Sequence, residues 1–122
     1  MKSHKDLDVW REAIALSRSV YLLTQHYPKE EIFGLSSQMR RAAVSVASNI
    51  AEGAARNGSR EFTKFLYIAA GSASELDTQL EISREIGLAN PREIEAIQQA
   101  TEKIARMIQG LIRSVKNRSR DD

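Results

Sequence analysis

The stretch "RRAAVSVASNIAEG", Arg40 to Gly53, decides how this chain folds. Apart from two arginines and one glutamate, nothing in it is larger than Ile50. At helical spacing, Leu35, Met39, Ala42, Val46, Ile50 and Gly53 share one face, so the stretch lies within a helix from about Leu35 to Arg56. Val44, Ala47, Ala51 and Ala55 form a second small apolar stripe on the far side. A helix that is apolar on two sides is normally buried on both. In a small bundle, the second side points to a neighbouring subunit.

The polar residues of the stretch follow their own line. Arg41, Ser45, Ser48 and Glu52 occupy one flank, and the next helix offers a matching flank in Lys64, Ile68, Gly71 and Glu75. An antiparallel hairpin turning near Gly58 sets Arg41 level with Glu75 and Glu52 level with Lys64. Gly71, among Ala69, Ala70, Ser72 and Ala73, is expected to let the backbones approach. The expected result is a structural seam of Arg41, Ser45, Ser48, Asn49, Glu52, Gly71 and Glu75, with opposite charges at both ends. A catalytic reading of the same residues fails because no histidine accompanies them and no Glu-x-x-His pair of the di-iron type occurs.

Three more helices surround this one. The first, about Leu7 to Tyr27, stops before Pro28 and carries a core face of Val9, Ala13, Leu16, Val20, Leu23 and Tyr27. Its second apolar stripe, Trp10, Ile14 and Tyr21, joins Val44, Ala47 and Ala51 as the expected oligomer interface. The third, about Arg60 to Ile86, aligns Phe62, Phe65, Leu66, Ala69, Ala73, Leu76 and Leu80. Asn57-Gly58-Ser59 separates it from the second, with Ser59 placed to cap it. The fourth opens on Asn90-Pro91-Arg92-Glu93 and keeps a heptad-like rhythm through Ile94, Ile97, Thr101, Ile104, Ile108, Leu111 and Val115. With no strand or repeat signal, the reading is an all-α, antiparallel up-down-up-down four-helix bundle. It forms one domain over residues 1–122, with a short basic tail from about 116 to 122.

Composition narrows the function classes. The 122 residues contain no cysteine, which removes disulfides, thiolate metal sites and a thiol nucleophile. No apolar run reaches the roughly 18 residues of a membrane span. The charged N-terminus does not resemble a signal peptide, so a cytoplasmic protein without a membrane partner is expected. His4 and His26 stand alone, and no phosphate loop, metal-ligand spacing or nucleophile–base pair appears. No metal, cofactor or catalytic activity is therefore expected.

Net charge is only +2, but its distribution is uneven. The up-down path collects Lys2, Lys5, Arg56, Arg60, Lys64, Arg113, Lys116, Arg118 and Arg120 at one end. Glu30, Glu31, Glu81, Glu85, Glu93 and Glu95 collect at the other. Helix dipoles explain Glu93, Glu95, Arg113 and Lys116, but not Arg56, Arg60 or the tail. The expected nucleic-acid-binding residues are Arg56, Arg60, Lys64, Arg113, Lys116, Arg118 and Arg120, acting on an RNA or DNA backbone by counterion release. Base stacking is not expected, since the aromatics near that end are few, Phe62, Phe65 and Tyr67, of which Phe62 and Phe65 read as core, and Trp10 reads as interface. The alternative is a protein-interaction scaffold, its partner docking on the Trp10, Ile14 and Tyr21 stripe or on the small-residue surface.

"RRAAVSVASNIAEG", followed by "SREFTKFLYIAAGSASELDTQL" at Ser59 to Leu80, resembles a bacterial four-helix-bundle family. Its members are called 23S rRNA intervening-sequence proteins, or S23 ribosomal proteins. The resemblance runs from about Leu7, through "VWREAIALSRSVY", to the end of the fourth helix. It is most specific at Ser48 to Gly53, at Gly71-Ser72 and at Glu75-Leu76. It implies a four-helix fold and a ring-like homopentamer. The chain is also similar to the accessory variability protein of diversity-generating retroelements, a basic pentameric barrel associated with nucleic acid and a reverse transcriptase. The family name reflects where some genes sit and implies no reaction. Arg40, Arg41, Asn49 and Glu52 match the family motif without acquiring roles from it.

Overall fold

Each helix boundary has a local cause. In the computed structural model, which describes residues 3–121 with side chains through Arg118, α1 spans Asp8–Thr24, α2 Leu35–Ala55, α3 Ser59–Glu85 and α4 Pro91–Asp121. No strand occurs among the described residues. Of two 3-10 turns, at His4–Asp6 and Lys29–Glu31, the first is closed by a capping box. The Lys5 amide donates to Ser3 Oγ at 3.1 Å, and the Ser3 amide donates to Asp6 Oδ2 at 3.2 Å. The first amide of α2 donates to Glu31 Oε1 at 3.0 Å, so a glutamate from the connector caps that helix. Gly58, at φ +105°, turns the chain into α3, a conformation few other residues adopt. Ser59 is thereby the first residue of α3 instead of its cap. Asn90 Oδ1 accepts from the Arg92 amide at 2.8 Å, which starts α4 as its sequence anticipates.

Side-chain bonds across the grooves set the antiparallel order. Arg40 Nε donates to Thr24 Oγ1 at 2.8 Å between α2 and α1, and the hydroxyls of Ser45 and Ser72 lie 2.8 Å apart between α2 and α3. Arg84 Nη2 donates to Gln98 Oε1 at 2.7 Å between α3 and α4. Lys103 Nζ reaches Glu12 Oε1 at 3.2 Å between α4 and α1. Helices α1 and α3 each pack on α2 and α4 and lie on one diagonal. The fold is the up-down-up-down four-helix bundle expected from periodicity.

The core follows the expected faces with four departures, the first being Leu35, which is only half-buried. All six expected core residues of the first segment are buried, although α1 ends at Thr24 and Tyr27 lies beyond it. In α4 the late core position is Ile112, with Leu111 only half-buried, because a 3.6-residue turn drifts away from a strict heptad. Ala47, expected at a subunit interface, is 6% exposed and belongs to the chain's own core with Ala43. Position 47 lies toward α1, only about 100° from Val46, and the wide apolar face of α2 reaches it. Phe65, expected in the core stripe, is half-buried outside it.

Slenderness matters at one glycine and not at the other. A Cβ on Gly53 would stand 2.8 Å from Phe65 Cβ, 3.1 Å from Phe62 Cδ1 and 3.2 Å from the Phe62 carbonyl oxygen. Only glycine lets the start of α3 close on the end of α2 there. Gly71 meets nothing within 4 Å and faces outward, so it brings no backbones together.

The seam lies one residue from the expected register, and the α3 flank expected to form it, Lys64, Ile68, Gly71 and Glu75, is exposed. Ser45 and Ser72 face each other at its middle, and Asn49 Nδ2 donates to the Ser45 carbonyl at 2.8 Å and to its hydroxyl at 2.9 Å. The anticipated charge pairs do not form. Glu52 binds Arg56 of its own helix at 2.6 Å, and Glu75 accepts from Gln79 at 3.2 Å. Arg41 and Lys64 make no ion pair among the described residues, and Ser48 is exposed. The flank from 41 to 52 straddles the contact line, so only Ser45 and Asn49 turn into it. A neighbour four residues along the same helix is then the nearer partner for Glu52.

Candidate nucleic-acid interface

The register above places the start of α3, the end of α2, the N-terminal turn and the end of α4 together at one end of the bundle. Lys116 shows the juxtaposition directly: its Nζ donates to Tyr67 Oη at 2.9 Å, linking α4 to α3. Seven of the expected cations are described there: Lys5, Arg56, Arg60, Lys64, Arg113, Lys116 and Arg118, all exposed. The side chains of Lys2 and Arg120 lie outside the described residues.

These cations differ in how they are held. Arg56 is tied to Glu52, and its guanidinium carbon sits 5.1 Å from the Phe65 ring centre. Lys64 Nζ is 5.9 Å from the same centre, so two cations lie near the Phe65 ring. Arg60, Arg113 and Arg118 make no ion pair among the described residues. They are the cations most available to an incoming polyanion, whereas Arg56 would first have to share its carboxylate. From Lys116 the expected tail continues α4, which carries its charges on a helix as far as the description reaches.

The opposite end is built differently. Glu30, Glu85, Glu93 and Glu95 are exposed there, and Glu81 lies 3.9 Å from Arg84 and accepts from Gln98 at 3.1 Å. Between α3 and α4, burial pushes the Asp77 carboxyl above its ordinary pKa, and the charges of Glu102 and Glu81 push the same way. Large apolar side chains stand in the open at this end: Leu22, Ile32, Ile82, Ile86 and above all Phe33, which is 97% exposed. None of these five belonged to the interface expected from the sequence. Phe33 and Ile32 lie in a short connector, where periodicity assigns no face.

Of the expected interface residues, Ile14, Tyr21 and Val44 are exposed and Trp10 and Ala51 are half-buried. Trp10 packs edge-on against His4 with ring centres 4.9 Å apart. Tyr21 and Val44 border an open cleft of about 500 Å3 with Ile32, Ser37, Arg40, Arg41 and Ser45. In it Arg40 lies over the Tyr21 ring at 4.7 Å. Among the described residues no group of acidic or histidine side chains could hold a metal, and no helix is long and apolar enough to cross a membrane.

Residues 5–110 match the family model described as 23S rRNA-intervening sequence protein, so Arg113, Lys116 and Arg118 lie past its end. Among solved structures, the chain is similar to a protein of unknown function from the S23 ribosomal protein family of Bacteroides thetaiotaomicron. The two superpose with a TM-score of 0.77 at 20% identity, over 85% of this chain and 97% of the other. No curated protein matches the chain. Neither description assigns a reaction.

Proposed function

We propose that this chain, which belongs to the 23S rRNA-intervening sequence protein family, is a non-catalytic, self-associating cytoplasmic bundle that binds the backbone of RNA or DNA through its basic end. The observation that carries this reading is the segregation of charge by the fold. Arg56, Arg60, Lys64, Arg113, Lys116 and Arg118 are exposed at one end, and Arg60, Arg113 and Arg118 have no carboxylate partner among the described residues. Clustered cations release counterions from a phosphate backbone, and the gain grows with each phosphate neutralised. Repeating this end around a ring of subunits would add the fields of several copies. Five is the number that the resemblance to the accessory variability protein suggests. Trp10, Ile14, Tyr21, Val44 and Ala51 are the residues on which subunits would meet.

The test is a titration of labelled RNA and DNA across a salt series with Arg60, Arg113 and Arg118 all changed to Glu. Affinity at low salt should fall on the order of 100-fold, and the dependence of affinity on salt should become shallower. Wild-type affinity in that variant would remove the basic end from consideration. Mass measurement in solution checks self-association, which a single-chain species at high concentration would refute.

A second reading, a protein-interaction scaffold, draws on the other end. An exposed Phe33 beside Ile32, with Ile82 and Ile86 in the same half of the bundle, is the kind of apolar surface that marks a docking site. Capture of a protein partner that survives nuclease treatment and is lost on changing Phe33 to Ser would favour it.

A further inference from the structure

We propose that the nucleic acid held at the basic end is single-stranded, with an unpaired base laid on the ring of Tyr67. The inference rests on the backbone-binding reading above and narrows its ligand. Arg60, Lys64, Tyr67 and Gly71 follow one another at helical spacing along the outward face of α3, and all four are exposed. Tyr67 is 48% exposed, a large apolar ring kept in water between Lys64, one turn back, and Lys116. Lys116 approaches it from α4, with Nζ at 2.9 Å from the hydroxyl and 5.2 Å from the ring centre.

That contact anchors the ring by its hydroxyl and sets a positive charge beside it. One turn further along, Gly71 has no side chain and open space around its Cβ position, so nothing overhangs the ring from that direction. One turn back, Lys64 leans toward Phe65, at 5.9 Å, and leaves the stripe flanked by charge. An exposed ring between cations suits a strand whose phosphates follow the charges while a base stacks on the ring. A duplex keeps its bases stacked on one another and could use only the charges.

The test uses the full chain with a labelled single-stranded 20-mer and the duplex of the same sequence, at one low salt concentration. A second single strand carries 2-aminopurine, whose emission falls on stacking. The wild-type protein should bind the single strand about tenfold more tightly than the duplex and quench the probe. Tyr67→Leu should lose both the preference and the quenching while duplex affinity holds. Tyr67→Phe, which keeps the ring without the hydroxyl, should retain them. Circular dichroism and solution mass of both variants must match wild type. A change of mass in Tyr67→Leu would place the ring in a subunit contact and overturn the proposal.

Equal affinity of the wild type for strand and duplex, or quenching that survives Tyr67→Leu, would also overturn it. If both ligands bind equally and the Arg60, Arg113 and Arg118 charge reversals abolish both, the backbone-binding reading stands and only the single-strand inference fails. If neither ligand binds at all, the backbone-binding reading fails first.

Discussion

The two ends of this bundle are made from the same four helices and differ in what they leave uncovered. At one end the expected cations gather, exposed and, all but Arg56, without an ion-pair partner among the described residues, with Phe65 and Tyr67 drawn among them. At the other the exposed groups are glutamates and large apolar side chains, with Phe33 almost entirely in water. Charge of one sign, spread over several chain segments, recognises a polyanion without needing shape. Apolar surface gains only when something covers it. The same architecture therefore offers two kinds of contact on opposite ends, and each can be altered without touching the other.

The largest effect should come from the packing that shapes the basic end. Gly53→Leu puts a side chain where a Cβ alone would already stand 2.8 Å from Phe65 Cβ and 3.2 Å from a backbone oxygen. It is expected to cost about 3 kcal/mol in denaturant unfolding. Retained stability would mean that the start of α3 can move aside, and that the placement of Arg56 against Phe65 is looser than described.

An intermediate effect is expected at the other end. Phe33→Ser combined with Ile86→Ser should leave folding within about 0.5 kcal/mol, since both side chains are exposed. If that end is where copies or partners dock, the dissociation constant should rise by at least about tenfold, read by sedimentation or light scattering. Unchanged association would leave that surface idle and sharpen the case for the Trp10, Ile14, Tyr21 and Val44 side.

The smallest effect concerns Asp77. Its pKa is raised by burial first and by Glu102 and Glu81 second, so the folded chain holds that proton more tightly than the unfolded chain does. Stability from this group is therefore greatest below the ordinary aspartate pKa and falls as pH rises through the shifted one. Asp77→Asn should raise stability at neutral pH by up to about 0.5 kcal/mol and flatten the slope in the acidic range. Thermal melts of both proteins between pH 4 and pH 7, on the order of these limits, check the sign. A loss of stability at pH 7 would show that the carboxylate has a partner.

Much of the fold is readable from single helices. Val9, Ala13, Leu16, Val20 and Leu23 are all buried, as their spacing requires, because one helix face meets one core, and Tyr27 is buried past the end of that helix. The end-to-end division of charge follows from the path alone, once short turns make neighbouring helices antiparallel. The seam was less readable. Ser45 meets Ser72 where the expected pairing sets Gly71, and the partner of Glu52 depends on which cation is nearest in space, which is Arg56. Phe65 looked like core because spacing places it near the stripe, and only the approach of α3 to Gly53 shows that its ring ends at the groove edge between Arg56 and Lys64.

Local spacing, caps and turn residues were enough to specify four helices, their order and which end carries which charge, since each depends on residues within a turn or two of one another. Tertiary structure alone decided that Ala47 belongs to the inside, that Gly71 looks outward, and that Tyr67 meets Lys116 across a groove. Those outcomes depend on how far each helix is rotated about its own axis. That rotation is set by the summed packing of all its neighbours, which no single stretch of chain contains.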